Sequence, residues 1–421
     1  MAEGCRAVLR WVPMSVERPR LRAVEIFLAR DGGREVLCLR DPQGLTDQVM
    51  AVGASAGVVL QCLDGKHTVA QIQRRVKQVT GQTVAVGAIE KFIRELDEAL
   101  WLDSPRLAAH VAAELERYRQ APHRSAAHAG QSYPATAAGI RRVFARHWEP
   151  PQGPGANGAA PGKLPVALVV PHIDLRRGGP AFAWAYAQLG RQPALDTLVV
   201  LGVAHAPTKN RFVGTRKDFA TPLGTVATDV EFLEALAGKL PFDLFADELA
   251  HRREHSVEFQ AVYARHALAG SFRMAPLLTG SFHDLLEAGQ DPLADRQVAA
   301  FVKALRETIA ESGRRVCVVA SVDLAHVGGR FGDEFTVNDE VRRQLEIEDR
   351  RMLSLVEACD APELLRFIYQ EEDRRRVDAW PTLYTLLHGC LVSDGRLLHY
   401  DQSYEAETNS VVTYASLRLD A

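Results

Sequence analysis

Three short apolar runs, at 166–170, 198–201 and 316–320, constrain this chain more than any other feature, because a histidine follows each within a few residues: His172, His205 and His326. Runs rich in Val, Leu and Ala fit strands buried on both faces, and in open α/β sheets ligands collect at the carboxyl ends of such strands. Any one of these histidines could simply close a strand and satisfy local backbone groups. Three of them together point to a site.

The length of 421 residues and an apolar content of 47% allow a large core and two domains or somewhat more. A formal net charge of -3 gives no electrostatic pointer to nucleic acid. The six cysteines, Cys5, Cys38, Cys62, Cys317, Cys359 and Cys390, form no CxxC pair, so reduced thiols in a cytoplasmic protein are expected. No stretch reaches the roughly 18 apolar residues of a spanning helix, and no phosphate-binding glycine loop is present.

Residues 20–105 read as an independent module. Loose alternation over 24–39, broken at Asp31, Gly32 and Gly33, predicts a β-hairpin. Three helices follow: 54–63, stopped by Asp64-Gly65-Lys66; a second opened by Thr68 with Gln71 at capping-box spacing; and a third through Ile89, Phe92, Ile93, Leu96 and Leu100. A hairpin with three short helices is the winged-helix layout. The segments LQCLDGKHTVAQIQRRV and VGAIEKFIRELDEALWLD resemble the PqqD-like family, winged-helix modules that bind peptides along a strand edge. Acidic and basic side chains are nearly balanced here and form no basic stripe, so nucleic acid is not the expected partner. A module that only packs or dimerises is the alternative. Residues 106–120 form a helical linker, and the Pro- and Gly-rich stretch 150–162 predicts a mobile surface loop.

From 121 to 421, strand-like and helix-like runs alternate, the pattern of a layered α/β domain with helices covering a sheet. AHAGQSYPA from Ala127, Pro171-His172, LGVAH from Leu201, ATPLGTVATD from Ala220, EHSVEFQ from Glu254 and SVDLAHVG from Ser321 follow one another in an order and spacing similar to the Memo family, in bacteria the AmmeMemoRadiSam system protein B group. SVVTYASLRL resembles the family's closing strand. The resemblance implies a fold like that of the class III extradiol dioxygenases, which are non-haem iron enzymes. With the PqqD-like module, it also implies a radical SAM protein as partner and a peptide substrate.

By this resemblance His172 and His205 are metal-ligand candidates, Asp323 and His326 match an SSD-x-x-H motif, and His255 and Glu258 match EHSxE. Asp323 could orient a ring nitrogen or ligate directly. The family's late CG motif, whose cysteine is a metal ligand in the best-known relatives, falls at Arg376-Val377-Asp378-Ala379. The cysteine position aligns with Val377 or Asp378. With Asp378 the set becomes two histidines and a carboxylate, which suits Fe(II) over Cu or Zn; with Val377 a ligand is lost. His326, Asp323 and His255 are then the candidate catalytic residues, with His326 as acid/base. His251 and His255 would share a face if helical and could bind zinc. Cys317 reads as inert core.

Two functions follow as expectations. One is a metal-dependent oxidoreductase acting on a small aromatic or a peptide side chain. The other is a non-catalytic peptide- or partner-binding protein that keeps a remnant pocket, a reading favoured by the altered CG motif.

Overall fold

The computed structural model describes residues 17–31, 34–46, 48–155, 163–190 and 194–421, which divide into two compact units, residues 1–114 and 115–421. The helix Pro105–Gln120 carries the chain from one to the other. Residues 156–162, most of the expected Pro/Gly loop, and the hairpin's turn at 32–33 lie outside the described residues.

In the first unit, strands β1 (Glu25–Asp31), β2 (Arg34–Arg40) and β3 (Met50–Gly53) form an antiparallel sheet with β2 in the middle. The helices Ala54–Gln61, Val69–Thr80 and Val86–Glu98 follow. The capping box forms: Thr68 Oγ1 accepts from the Gln71 amide, while the Thr68 amide donates to Gln71 Oε1 at 2.8 Å. Those two bonds satisfy donors that the first helical turn cannot pair internally. The faces read from periodicity, Ile72 and Val76 on one helix and Ile89, Ile93 and Leu96 on the next, meet Leu39, Val52 and Trp101 in one core.

The second unit is built on an eight-stranded sheet. Its strands are β4 (Ala167–Val170), β5 (Thr197–Val203), β6 (Phe212–Gly214), β7 (Arg273–Thr279), β8 (Val316–Ser321), β9 (His326–Gly328), β10 (Asp394–Glu405) and β11 (Ser410–Asp420). The order is β10-β11-β4-β8-β5-β7-β6, with β9 paired to β11. β4, β8, β5 and β7 are mutually parallel, and antiparallel strands flank them on both sides. Each inner strand buries both faces. Leu168, Leu198, Cys317 and Val319 pack on the side of the helices Ala137–His147, Gly179–Ala187 and His255–Ala267. Val169, Val199, Leu201 and Val318 pack under Arg296–Glu311, Asp339–Glu357, Ala361–Glu371 and Ala379–Gly389. A strand covered on both sides must be apolar throughout, hence the uninterrupted runs. The chain passes from β4 to β5 to β7 and then returns to lay β8 between β4 and β5, so the ends of three strands surround one crevice. Among the described residues no helix is long and apolar enough to cross a membrane.

His147 shows what this packing does to a titratable group. Its ring stacks on Phe144 at 5.0 Å and on Tyr263 at 6.0 Å, and lies so close to Gly179 that a Cβ there would sit 2.2 Å from it. Burial, with His266 nearby, pulls its pKa down from 6.5 to about 4. The unfolded chain therefore binds the proton first. The folded state keeps the full benefit above about pH 6.5 and loses it progressively toward pH 4, up to about 3 kcal/mol. His147→Leu should flatten this acid slope in urea unfolding measured from pH 7 to pH 4.5, and an unchanged slope would show that His147 does not contribute.

Candidate metal centre

Each histidine at the crevice is placed by a local backbone device. His172 lies two residues beyond β4, where its amide and that of Ile173 both donate to Asp323 Oδ1 at 3.0 Å. His205 lies two residues beyond β5, its amide donating to Glu254 Oε2 at 3.1 Å. His255 opens the helix His255–Ala267, whose N-cap is Glu254, accepting from the Ser256 amide at 2.9 Å. Ser256 Oγ in turn bonds the Val203 amide at 3.1 Å and carbonyl at 3.0 Å, docking the helix on the end of β5. That approach requires glycine at 202, since a Cβ would meet Ser256 Oγ at 2.5 Å. Gln260 completes the frame by donating to Pro171 O at 2.8 Å and Ser321 Oγ at 2.7 Å.

These devices bring His172, His205 and His255 together, with one ligand atom from each lying within 4.8 Å of the others. The rings are 4.5–5.1 Å apart by centroid. His172 is buried, whereas the side chains of His255 and His205 keep 29% and 41% of their exposure, so the cluster opens to one side. The orientation of each ring suits a metal. His172 Nδ1 donates to Ser321 O at 2.9 Å, His205 Nδ1 bonds Glu254 at 3.0 Å, and His255 Nδ1 faces the same carboxylate at 3.2 Å. A ligating histidine has its second ring nitrogen held in this way by a carbonyl or carboxylate.

The acidic groups divide the field. Burial alone would raise the Glu254 pKa, but His205, His255 and the Ser256 amide hold it well below the carboxylate range. Burial works against a charged His172, yet Asp323 and Asp378 overcome it and push its pKa up to about 10. His205 is likewise raised against its burial by Glu254, while burial and the His205 charge drive His255 well down. The cluster thus distributes its protons unevenly, and a metal held by His172 Nε2 would have to displace the proton there.

Asp378 Oδ2 lies 3.1 Å from His172 Nε2, and its Oδ1 accepts from the Asp323 amide at 3.1 Å. Val377, the other position aligned with the family cysteine, is buried in the apolar core. Asp378 is therefore the side chain that faces the cluster, although it is not part of the three-histidine group. His326 presents Nε2 3.9 Å from Asp378 Oδ2, and its Nδ1 is held by the carbonyls of Leu324 at 3.0 Å and Arg376 at 3.2 Å. Those carbonyls do the orienting expected of Asp323, whose Oδ1 is engaged by the amides of His172 and Ile173.

The pairing of His251 with His255 does not form. His251 lies in the short 3-10 turn Glu248–Arg252, ahead of the helix that begins at His255, and its Nε2 donates to Val213 O at 3.1 Å. Cys317 is buried in the core as expected. Glu258 is structural: it holds Arg124, Tyr133 and the amides of Ala127 and His128. Two neighbours of the cluster were not read as site residues from sequence. Glu254, which orients two of its rings, carried no signal beyond its place directly before His255 in the EHSVEFQ motif. His128, whose ring lies 5.8 Å from that of His255, carried none beyond its motif.

A family model described as Memo-like protein matches residues 124–418. The chain is similar to a MEMO1 family protein of Aquifex aeolicus (strain VF5), 27% identical over 388 residues that cover 90% of this chain and 94% of the relative. A MEMO1 family protein of Thermus thermophilus is 28% identical over 359 residues, covering 84% and 99%. One of Methanopyrus kandleri is 30% identical over 304 residues, covering 70% and 98%. The first two similarities cover more of this chain than the second unit holds and so extend into the first.

Proposed function

The chain belongs to the Memo family, and from that membership together with the histidine cluster we propose that it binds a divalent metal and uses it in oxidative chemistry. The observation that carries this reading is the convergence of His172, His205 and His255, each with its second ring nitrogen held by a carbonyl or carboxylate. Imidazole suits Fe, Zn and Cu, and the hard carboxylate of Asp378 beside His172 favours Fe(II). When bound, Fe(II) with open positions supplies oxygen activation, as in the dioxygenases to which the family is similar in fold. His326, with Nδ1 fixed by two carbonyls and Nε2 toward Asp378, is placed to take a proton from a substrate hydroxyl or phenol. Asp323 sets the position of His172 through its backbone amide and, with Oδ2 3.8 Å from Nε2, favours its charged form.

The substrate is a small aromatic or a peptide, and the partner a radical SAM protein of the same system. Support for a peptide comes from the PqqD-like resemblance and from β1, which pairs only with β2 among the described residues and so offers an edge for strand addition. The five described cysteines are all free, in keeping with a cytoplasmic setting.

Metal analysis of anaerobically purified protein tests the reading. Near-stoichiometric iron is expected in the wild type and none in the His172→Ala/His205→Ala double variant. Asp378→Ala should lower metal affinity by about 10–100-fold, the range for groups that support a ligand. The replacement of the family's cysteine favours a second reading, a non-catalytic partner-binding protein. Wild-type protein without metal after reconstitution would select it.

A further inference from the structure

A cavity of about 680 Å³ opens beside the cluster, with His205 on its wall. Loops that follow β5 and β7, together with the start of the helix Arg296–Glu311, line it. It therefore lies at the carboxyl ends of two parallel strands, where α/β folds hold ligands. Its charged lining is uneven. Arg211 is occupied by Asp284, in two bonds of 2.6 and 2.5 Å, and by Asp295 at 3.6 Å, so those three groups neutralise one another to within one charge. Asp295 is further engaged as the helix N-cap, accepting from Gln297 and Val298 amides. Lys209 and Arg296 also line the cavity, and among the described residues neither side chain has an acidic partner. Asp247 accepts from the backbone amide of Lys209 at 2.6 Å. On the other side of His205, Asp378 and Asp323 are paired with His172.

We infer that this cavity is an anion subsite, in which Lys209 and Arg296 bind the carboxylate or phosphate of a small-molecule substrate. Arginine offers paired donors to either anion and lysine a point charge. The inference rests on the proposed metal centre only for what the other end of the substrate meets; the anion contact itself needs no metal.

The test is isothermal titration of the full chain, chelator-stripped and at low ionic strength, with succinate and with inorganic phosphate. One of the two should bind the wild type, and the Lys209→Ala/Arg296→Ala double variant should bind it at least tenfold more weakly. Lys303→Ala, on the same helix but paired with Glu307, should keep wild-type affinity. Preference for succinate assigns a carboxylate and preference for phosphate a phosphate ester. Absence of binding by the wild type, or equal affinity in the double variant, overturns the subsite. Because stripped protein is used, a lost metal centre would leave this result intact, and the two readings fail separately.

Discussion

Arg124→Met is expected to destabilise the second unit by about 3–5 kcal/mol, the cost of removing one partner from a buried ion pair. Arg124 and Glu258 are both buried and bonded to each other. The guanidinium also donates to His251 O at 3.0 Å, Ser125 O at 2.8 Å and Glu254 O at 2.7 Å. Methionine leaves those carbonyls without this donor and Glu258 with a charge that only Tyr133 and two amides address. The same contacts carry the segment holding His128 and the carbonyl of Glu254, so loosening should reach the rim of the histidine cluster. Adding Glu258→Gln removes the orphaned charge, and the double variant should recover part of the loss. Urea unfolding of the two single variants and the double variant gives the coupling. Strictly additive effects would mean that the pair is not the source of the cost.

The second large effect is expected at Arg375, which is buried and paired with Asp349, with Glu371 at 2.9 Å and with Glu348 at 3.5 Å. This network anchors the turn that carries Asp378. The carbonyl of Arg375 accepts from the His326 amide at 2.7 Å, and that of Arg376 accepts from the His326 ring. Glu372, Asp373 and Arg376 all have left-handed backbone conformations, costly for residues with a Cβ, and only well-fixed surroundings hold them. Arg375→Met should cost about 3–5 kcal/mol at neutral pH and lower metal occupancy by freeing Asp378. The pH dependence has a definite sign. Burial already raises the Asp349 pKa in the folded protein, and Arg375 is the main group opposing it. Removing Arg375 raises it further, so the folded variant binds protons more readily than the unfolded chain. Its deficit is therefore largest above the folded pKa and shrinks as pH falls. A deficit that stays constant or grows between pH 7 and pH 5 would contradict this assignment.

Much of this architecture is local and therefore readable. Thr68 and Gln71 cap their helix because capping depends on residues three apart. The valine-rich runs become inner strands because only a doubly covered strand is apolar on both faces. Other elements are hidden for equally physical reasons. β7 carries Pro276, which lacks a ladder donor and argues in sequence against an inner strand, yet it lies between β5 and β6. β9 is three residues long and exists because β11 pairs with it.

For the site, local sequence is enough to place His172 and His205 just past buried strands, since strand burial and the residues just beyond it are set within a few positions. Which donors meet depends on how distant segments pack. Inserting β8 between β4 and β5 brings Ser321 and Asp323 against His172, and the docking of Ser256 on Gly202 carries His255 into the group. The fold of the turn after Arg375 sends Val377 into the core and Asp378 toward the histidines. These choices depend on contacts between residues far apart in the chain, where spacing and composition carry no information about distance.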